Sequence, residues 1–389
     1  MISNLNLATL ADGVGFISLF GDFATNYPLL ANLLNVVLMI IVGFLPIGLV
    51  MGFAALSVVA ERKFAAFIQG RYGPNRVIVP WLEVIPYVGS TLRKMGLTQL
   101  AADGLKFLLK EEPTPKHVHK LWYTLAPVAS LAPVLIVACV VPFGVFYFDG
   151  EASPLSPSNI GASLLFVLAF GSLGVFGPIL AGWSSNNKYS IQGAIRATSQ
   201  MISYELLFGL AVLPIIMMVA KNTENPLSLF EIGMYQSNNM WFILTCPISA
   251  FVYLIALFAE TNRLPFDMAE SETDLVSGYH TEYGSFKFGL FFVGEYGHIA
   301  LGSAVFAVLF LGGWNPLPTL SWSPDWIWLS PILSLLTMIV KIALTIFFFI
   351  WIRWTLPRFR YDQVMRLCWG RLLPLALINF IFYIVYLQI

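Results

Sequence analysis

The stretch PILSLLTMIVKIALTIFFFIWIR, residues 331–353, decides the class of fold. It is almost wholly apolar apart from Lys341 and the closing Arg353. An α-helix rises 1.5 Å per residue, so about 20 such residues cross the hydrocarbon core of a bilayer. Working outward, seven further segments have the same character, at roughly 33–60, 121–142, 160–182, 198–220, 240–260, 288–312 and 371–388. The pattern predicts an all-α integral membrane protein of about eight transmembrane helices. Prolines inside these segments (Pro46, Pro133, Pro178, Pro214) are tolerated in membrane helices where neighbours satisfy the freed backbone groups. Small residues recur, as in Gly171-Ser172-Leu173-Gly174, and suit close helix–helix contact.

Composition agrees. Of 389 residues, 58% are hydrophobic and 11% charged, which is too apolar for a soluble protein with an ordinary core. The formal net charge is zero, so no bulk field favours nucleic acid. Cys139, Cys246 and Cys368 stand more than a hundred residues apart in or beside apolar segments, without CxxC, zinc or iron–sulfur spacing. No basic stretch at the amino terminus suggests a cleaved signal peptide. With no internal repeat and no dividing linker, residues 1–389 read as one polytopic domain opened by an outward-facing segment, 1–32.

Charge placement orients the domain. The loops after helices one, three, five and seven carry 19 of the 21 Lys and Arg, ten of them between Arg62 and Lys120. The second such loop holds Lys188 and Arg196, the third Arg263 and Lys287, and the last Arg353 to Arg371. By the positive-inside rule these loops face the cytoplasm, or the matrix in an organelle, and both termini face outward; the expected location is a bacterial plasma membrane with the termini on the periplasmic side. Trp322, Trp326 and Trp328 decorate an outer loop as an interfacial belt would. The first inner loop, 61–120, combines Pro and Gly punctuation with the helix-compatible run 98–111, so short interfacial helices are expected there.

The third inner loop, 261–287, is the anomaly. Glu260, Asp267, Glu270, Glu272, Asp274 and Glu282 put six carboxylates within 23 residues against one Arg263. A charge run is usually a solvated face, but here the acids alternate with Leu, Val, Phe and Tyr rather than with Lys. Crowded, partly desolvated carboxylates raise one another's pKa and share protons near neutral pH. Single acids also sit within predicted spans: Glu205 in helix four, Glu260 closing helix five and Glu295 in helix six. A carboxylate at membrane depth costs several kcal/mol, on the order of 3, so it usually faces a polar interior. Lys341 is read with this polar set, and His298, three residues past Glu295, as a candidate member of a proton path. The first loop is net +5 and the acidic stretch net −5, so the two are expected to attract across a cavity. None of the four histidines has zinc or haem spacing, and no metal site is expected.

Laid out in order, these residues resemble a known family. Glu61-Arg62-Lys63, Arg71 with Gly73-Pro74-Asn75, Ala102-Asp103-Gly104 with Lys106, and Lys110-Glu111 come first. Gly182 to Tyr189, Arg196, Ser203-Tyr204-Glu205, the run Glu260 to Tyr283, and Arg358 to Gln363 follow. From about residue 33 onward the chain is similar to the family of quinone-site membrane subunits of respiratory complex I, the NADH:quinone oxidoreductase. The resemblance implies an eight-helix subunit joining a redox arm to a proton-translocating membrane arm. It implies that Glu61, Arg62, Arg71 and Asp267 line a quinone chamber. It further implies that Glu205, Glu260, Glu270, Glu272, Asp274, Glu282 and Glu295 belong to a proton-coupling path. Quinone would be the substrate, with FMN and iron–sulfur clusters held by partner subunits and none by this chain. Other peripheral-arm and membrane-arm subunits and the lipid bilayer would be its partners. Residues 80–98 form an insertion relative to the usual family spacing, Asp274 stands where Glu is common, and the first 30 residues resemble nothing specific.

Two rival readings follow. The equivalent component of a membrane-bound hydrogenase, formate hydrogenlyase or deazaflavin-linked dehydrogenase need not bind quinone, and the motif around Arg71 and Asn75 argues against it. A self-contained secondary transporter is opposed by the missing repeat and by the absence of a visible pair of broken helices.

Overall fold

A computed structural model describes residues 28–77, 88–148, 151–318 and 329–388. The first 27 residues, the front of the 80–98 insertion, the three outer-loop tryptophans and the side chain of Glu272 lie outside the described residues. Seven described helices are long and apolar enough to cross a membrane, and an eighth apolar helix is shorter. The protein is therefore an all-α membrane protein. The elements are α1 (Pro28–Ile68), α2 (Val88–Met95), α3 (Leu97–Leu109) and α4 (Lys120–Ala138). An antiparallel hairpin of β1 (Val145–Phe148) and β2 (Glu151–Pro154) pairs Val145 with Pro154. Then come α5 (Ser163–Ser172), α6 (Phe176–Ser184), α7 (Lys188–Ala220), α8 (Leu229–Asn238), α9 (Phe242–Thr245) and α10 (Pro247–Glu260). The chain closes with α11 (Glu272–Leu275), α12 (Ser285–Phe310), α13 (Ser330–Thr355), α14 (Tyr361–Leu367) and α15 (Leu373–Gln388), the last two joined by a π turn.

Helix α12 is the hub: 78% of its span is buried, against half or less in every other long span. It packs on α1, α4, α13 and α10. In lipid the drive for this is close packing rather than the hydrophobic effect, and small residues permit it. A Cβ at Gly294 would stand 3.0 Å from Ser130, and one at Gly297 3.0 Å from Val134, so these glycines let α4 lie directly on α12.

Several boundaries differ from the sequence expectation. Helix α1 does not end at Glu61-Arg62-Lys63 but continues to Ile68, which places these charged residues on helical turns. Helix α7 starts at Lys188, where Asn187 caps it by accepting a hydrogen bond from the Tyr189 amide at 3.1 Å. Lys188 and Arg196, expected in a loop, are thus in its first turns. Two spans are interrupted, whereas the sequence shows no visible pair of broken helices. One breaks at Leu173–Val175 between α5 and α6, the other at Cys246 between α9 and α10, where Pro247 has no amide to donate. Near the second break Gln236 satisfies exposed backbone. Its Nε2 donates to Val308 O (2.9 Å), and its Oε1 accepts from the amides of Phe242 (3.2 Å) and Gly312 (3.1 Å). Non-helical backbone at membrane depth persists only with such partners.

Lys341 does not join the acids. Its Nζ donates to the carbonyls of Leu311 (2.5 Å), Gly313 (2.8 Å) and Asn315 (2.5 Å), just past the C-terminus of α12. That end carries unsatisfied carbonyls and the negative pole of the helix dipole, so a buried ammonium fits there.

Candidate functional site

Toward the opposite end of α12 the polar residues converge. Glu61 is buried in the side of α1, where Tyr296 donates to its Oε2 at 2.5 Å and Arg353 pairs with its Oε1. Glu61, Arg62, Arg71, Asn75, Tyr296 and Arg353 line a cavity of about 650 Å³. Val58, Ala65, Ala66, Phe292 and Trp354 form its apolar wall, and Gln69, Tyr72, Gly73 and Arg76 also line it. An apolar surface with a few guanidinium and hydroxyl donors is what a ring with two carbonyl acceptors and an apolar tail requires. Three of the four expected chamber residues are on this wall. Asp267 is not among the lining residues. It accepts from Arg358 at 2.9 Å, while the same arginine donates to Ser271 at 2.9 Å. Burial lifts Asp267 above the ordinary aspartate pKa, against the pull of Arg358.

Behind Glu61 lies a second group. The guanidinium of Arg263 stands 4.1 Å from the Tyr296 ring centroid and 3.3 Å from Glu295 Oε2, with both charged side chains buried. Burial opposes its charge, but Tyr296, Glu295, Glu61 and Glu270 outweigh that and keep its pKa above the usual arginine value. The other oxygen of Glu295 accepts from Tyr279 at 2.9 Å, and the same hydroxyl is 3.5 Å from Glu270 Oε1. His280 stands beside both acids, Nδ1 at 3.4 Å from Glu270 and Nε2 at 3.9 Å from Glu295. Burial pushes the His280 pKa down to about 4, so the imidazole is neutral at neutral pH. Two carboxylates facing one guanidinium and a neutral imidazole leave one uncompensated negative charge. One added positive charge would cancel it.

The turn carrying Tyr279 and His280 is held by glycine. Gly278 has φ of +58°, and a Cβ there would collide with the carbonyl of Ala269. Gly193 on α7 lets that turn approach, since a Cβ at 193 would stand 2.8 Å from the Gly278 Cα.

A second, smaller cavity of about 60 Å³ brings together Glu205, Glu260 and His298 beside Gly171 and Ser172, the last residues of α5 before its break. These residues are far apart in sequence and share one internal space. Asp274 is exposed and 3.5 Å from Arg196, and Glu282 accepts from Asn187 at 2.7 Å at the edge of the domain. The expected attraction between the first loop and the acidic stretch takes another form. Arg62 pairs within its own segment, with Asp103 at 2.5 Å, while the acids meet Arg196, Arg263 and Arg358, and His117 of the first loop stands 4.0 Å from Glu282. The geometric reason is that α7 and the 353–371 segment pack directly on the acidic loop.

Sequence reasoning missed Tyr279, Tyr296, Arg353 and Arg358. Tyrosines carry no signal by themselves, Arg353 was absorbed into the positive-inside count, and Arg358 entered by name only as the start of a family motif. The spacing Glu295-Tyr296 within an otherwise apolar helix was the available clue for one of them. The cysteines sit on separate elements, each donating locally. Cys139 donates to Leu135 O, Cys246 to Met218 Sδ and Cys368 to Ser203 O, each at 3.4 Å, so these residues do not fit an iron–sulfur cluster.

Comparison with known proteins follows the same lines. The sequence profile of the NADH dehydrogenase family matches residues 38–384. A protein of Flavobacterium psychrophilum, named as the H subunit of NADH-quinone oxidoreductase, is 42% identical over 335 residues, covering 85% of this chain and 92% of that protein. One of the same name from Leptospira biflexa is 43% identical over 343 residues, with 85% and 90% covered. A protein of Koribacter versatilis, named as the second H subunit of NADH-quinone oxidoreductase, is 40% identical over 371 residues, with 90% and 95% covered.

Proposed function

From the premise that this chain belongs to the NADH dehydrogenase family, we propose that it is the membrane subunit that binds quinone and starts proton coupling in NADH-quinone oxidoreductase. Its relatives' names make it a subunit of that enzyme complex, with other subunits of the complex as partners. Quinone is the substrate, and the electrons come from redox groups of partner subunits. FMN and iron–sulfur clusters would supply those electrons when present in the partners. The complex lies in a bacterial plasma membrane with both chain termini on the outer side, as the basic loops suggest.

One observation carries the reading. The chamber wall and the proton-holding group share a side-chain pair: Tyr296 bonds Glu61 on the chamber side, and Arg263 lies over the same ring while pairing with Glu295. A quinone headgroup entering the cavity meets Arg62, Arg71 and Arg353, which suit its carbonyl oxygens and any negative charge that develops there on reduction. That charge acts on Glu61, whose hydrogen bond to Tyr296 and ion pair to Arg353 respond to it. Arginine does not release its proton, so Arg263 transmits the change by position and charge rather than by proton transfer. Glu270 and Glu295 then gain or lose their shared proton, with Glu205 and Glu260 as the next acids toward the membrane arm.

The test is Glu295→Gln, with Glu260→Gln beside it, in the assembled complex. Each is expected to lower NADH-driven quinone reduction and proton translocation at least about ten-fold, the effect of roughly 1.4 kcal/mol. NADH oxidation by an artificial acceptor, which bypasses quinone, should remain. Unchanged quinone turnover and pumping in both variants would overturn the reading.

A further inference from the structure

Glu270, His280 and Glu295 are ten and fifteen residues apart in sequence, yet their ligand atoms lie within 4.8 Å of one another. We propose that these three side chains form a binding site for a divalent transition-metal cation of the zinc class. A tetrahedral zinc with bonds of about 2.0–2.2 Å separates its ligand atoms by roughly 3.4 Å. His280 Nε2, the nitrogen that would hold the ion, stands 3.9 Å from Glu295 Oε1, while its other ring nitrogen, Nδ1, faces Glu270 Oε1 at 3.4 Å.

An independent observation points to a ligand. His280 is buried, 6% exposed, and its Nε2 has no hydrogen-bond partner among the described residues although it is aimed at Glu295. A buried imidazole nitrogen without a partner loses its hydration for nothing in return unless something fills its lone-pair direction. The neutral imidazole is also the form that coordinates metal.

The two oxygens of Glu295 divide their partners in a way that leaves room. Oε2 faces Arg263, while Oε1 faces Tyr279, His280 and Glu270. The guanidinium therefore sits on the far side of the carboxylate from the convergence point. Tyr279, whose hydroxyl is 2.9 Å and 3.5 Å from the two acids, borders the convergence point, and water would take a fourth position. Glu270 has 28% of its side chain exposed and gives the ion an entry from solvent. Two carboxylates and one nitrogen suit zinc better than magnesium, which prefers oxygen ligands and keeps its waters.

The geometry stands by itself; the consequence rests on the function proposed above. A bound dication would supply positive charge between the two carboxylates, and so fix the net charge of this group.

The test is a metal count on the purified, intact complex, stripped with a chelator and then dialysed against zinc. The wild type should bind one zinc more per complex than Glu270→Gln or His280→Gln, whereas Glu270→His, which restores a ligand, should regain it. Assembly of each variant is checked by its subunit composition and by NADH oxidation with an artificial acceptor. Equal zinc counts in the wild type and both loss variants, with assembly intact, would overturn the proposal. Because the count needs no quinone turnover, it fails or succeeds separately from the Glu295→Gln activity test.

Discussion

Glu61 and Arg71 show how much a single position owes to its surroundings. Both are charged residues next to an apolar span, and both line the 650 Å³ cavity. Glu61 is buried and bound by Tyr296 and Arg353, whereas Arg71 is exposed and pairs with Gln69 two residues away. Arg71 is therefore free to reorient toward a bound headgroup. Arg71→Ala is expected to raise the apparent KM for quinone about three- to ten-fold, roughly 0.7–1.4 kcal/mol, the upper scale of one exposed charged contact. Its kcat at saturating quinone should change little, since the residue contributes to binding rather than to the proton group. Steady-state kinetics over a quinone series checks this, and an unaltered KM counts against a chamber role. These two residues were legible because charge beside a long apolar run is costly and so conspicuous. Tyr296 and Arg353 were not legible, because only the crossing of α12 and α13 beside α1 gives them a partner.

At the scale of elements, the two ends of α12 do different work. Its first half presents Glu295 and Tyr296 to the site, and the carbonyls just past its last turn are tied down by Lys341. Lys341→Met keeps the length and apolar stem of the side chain but leaves three carbonyls without their donor. Each lost bond to a charged group costs about 1.5–3 kcal/mol, with losses at one centre less than additive. The expected result is a lower melting temperature of the complex, with the apparent KM for quinone preserved. A lowered KM or a lost proton-coupling function without destabilisation would return Lys341 to the acidic set. The apolar pattern located the seven long spans and the shorter eighth apolar helix among the described residues, because a bilayer demands long apolar runs regardless of neighbours. It misplaced the start of α7 and missed two interruptions. Those depend on a local cap at Asn187 and on Gln236, whose partners include backbone 72 and 76 residues away.

For the molecule as a whole, the claim is that chamber and acids form one unit. Glu61 and Glu295 are connected through Tyr296 and Arg263, so their effects should not add. In a double-mutant cycle, Glu61→Gln and Glu295→Gln are expected to show a coupling of about 0.5–3 kcal/mol in quinone kcat/KM. Additivity within about 0.5 kcal/mol would separate the two sites. The sequence by itself determined the membrane class, the apolar spans and the acidic loop, since each follows from what lipid and charge permit along a chain. Motif order also carried the family. Only the tertiary structure decided which acids meet. It put Glu270, His280 and Glu295 around one point, joined Glu205 to Glu260, and removed Lys341 to the far end. Such meetings depend on where helices cross and which glycines let them approach, and no one-dimensional pattern records a crossing.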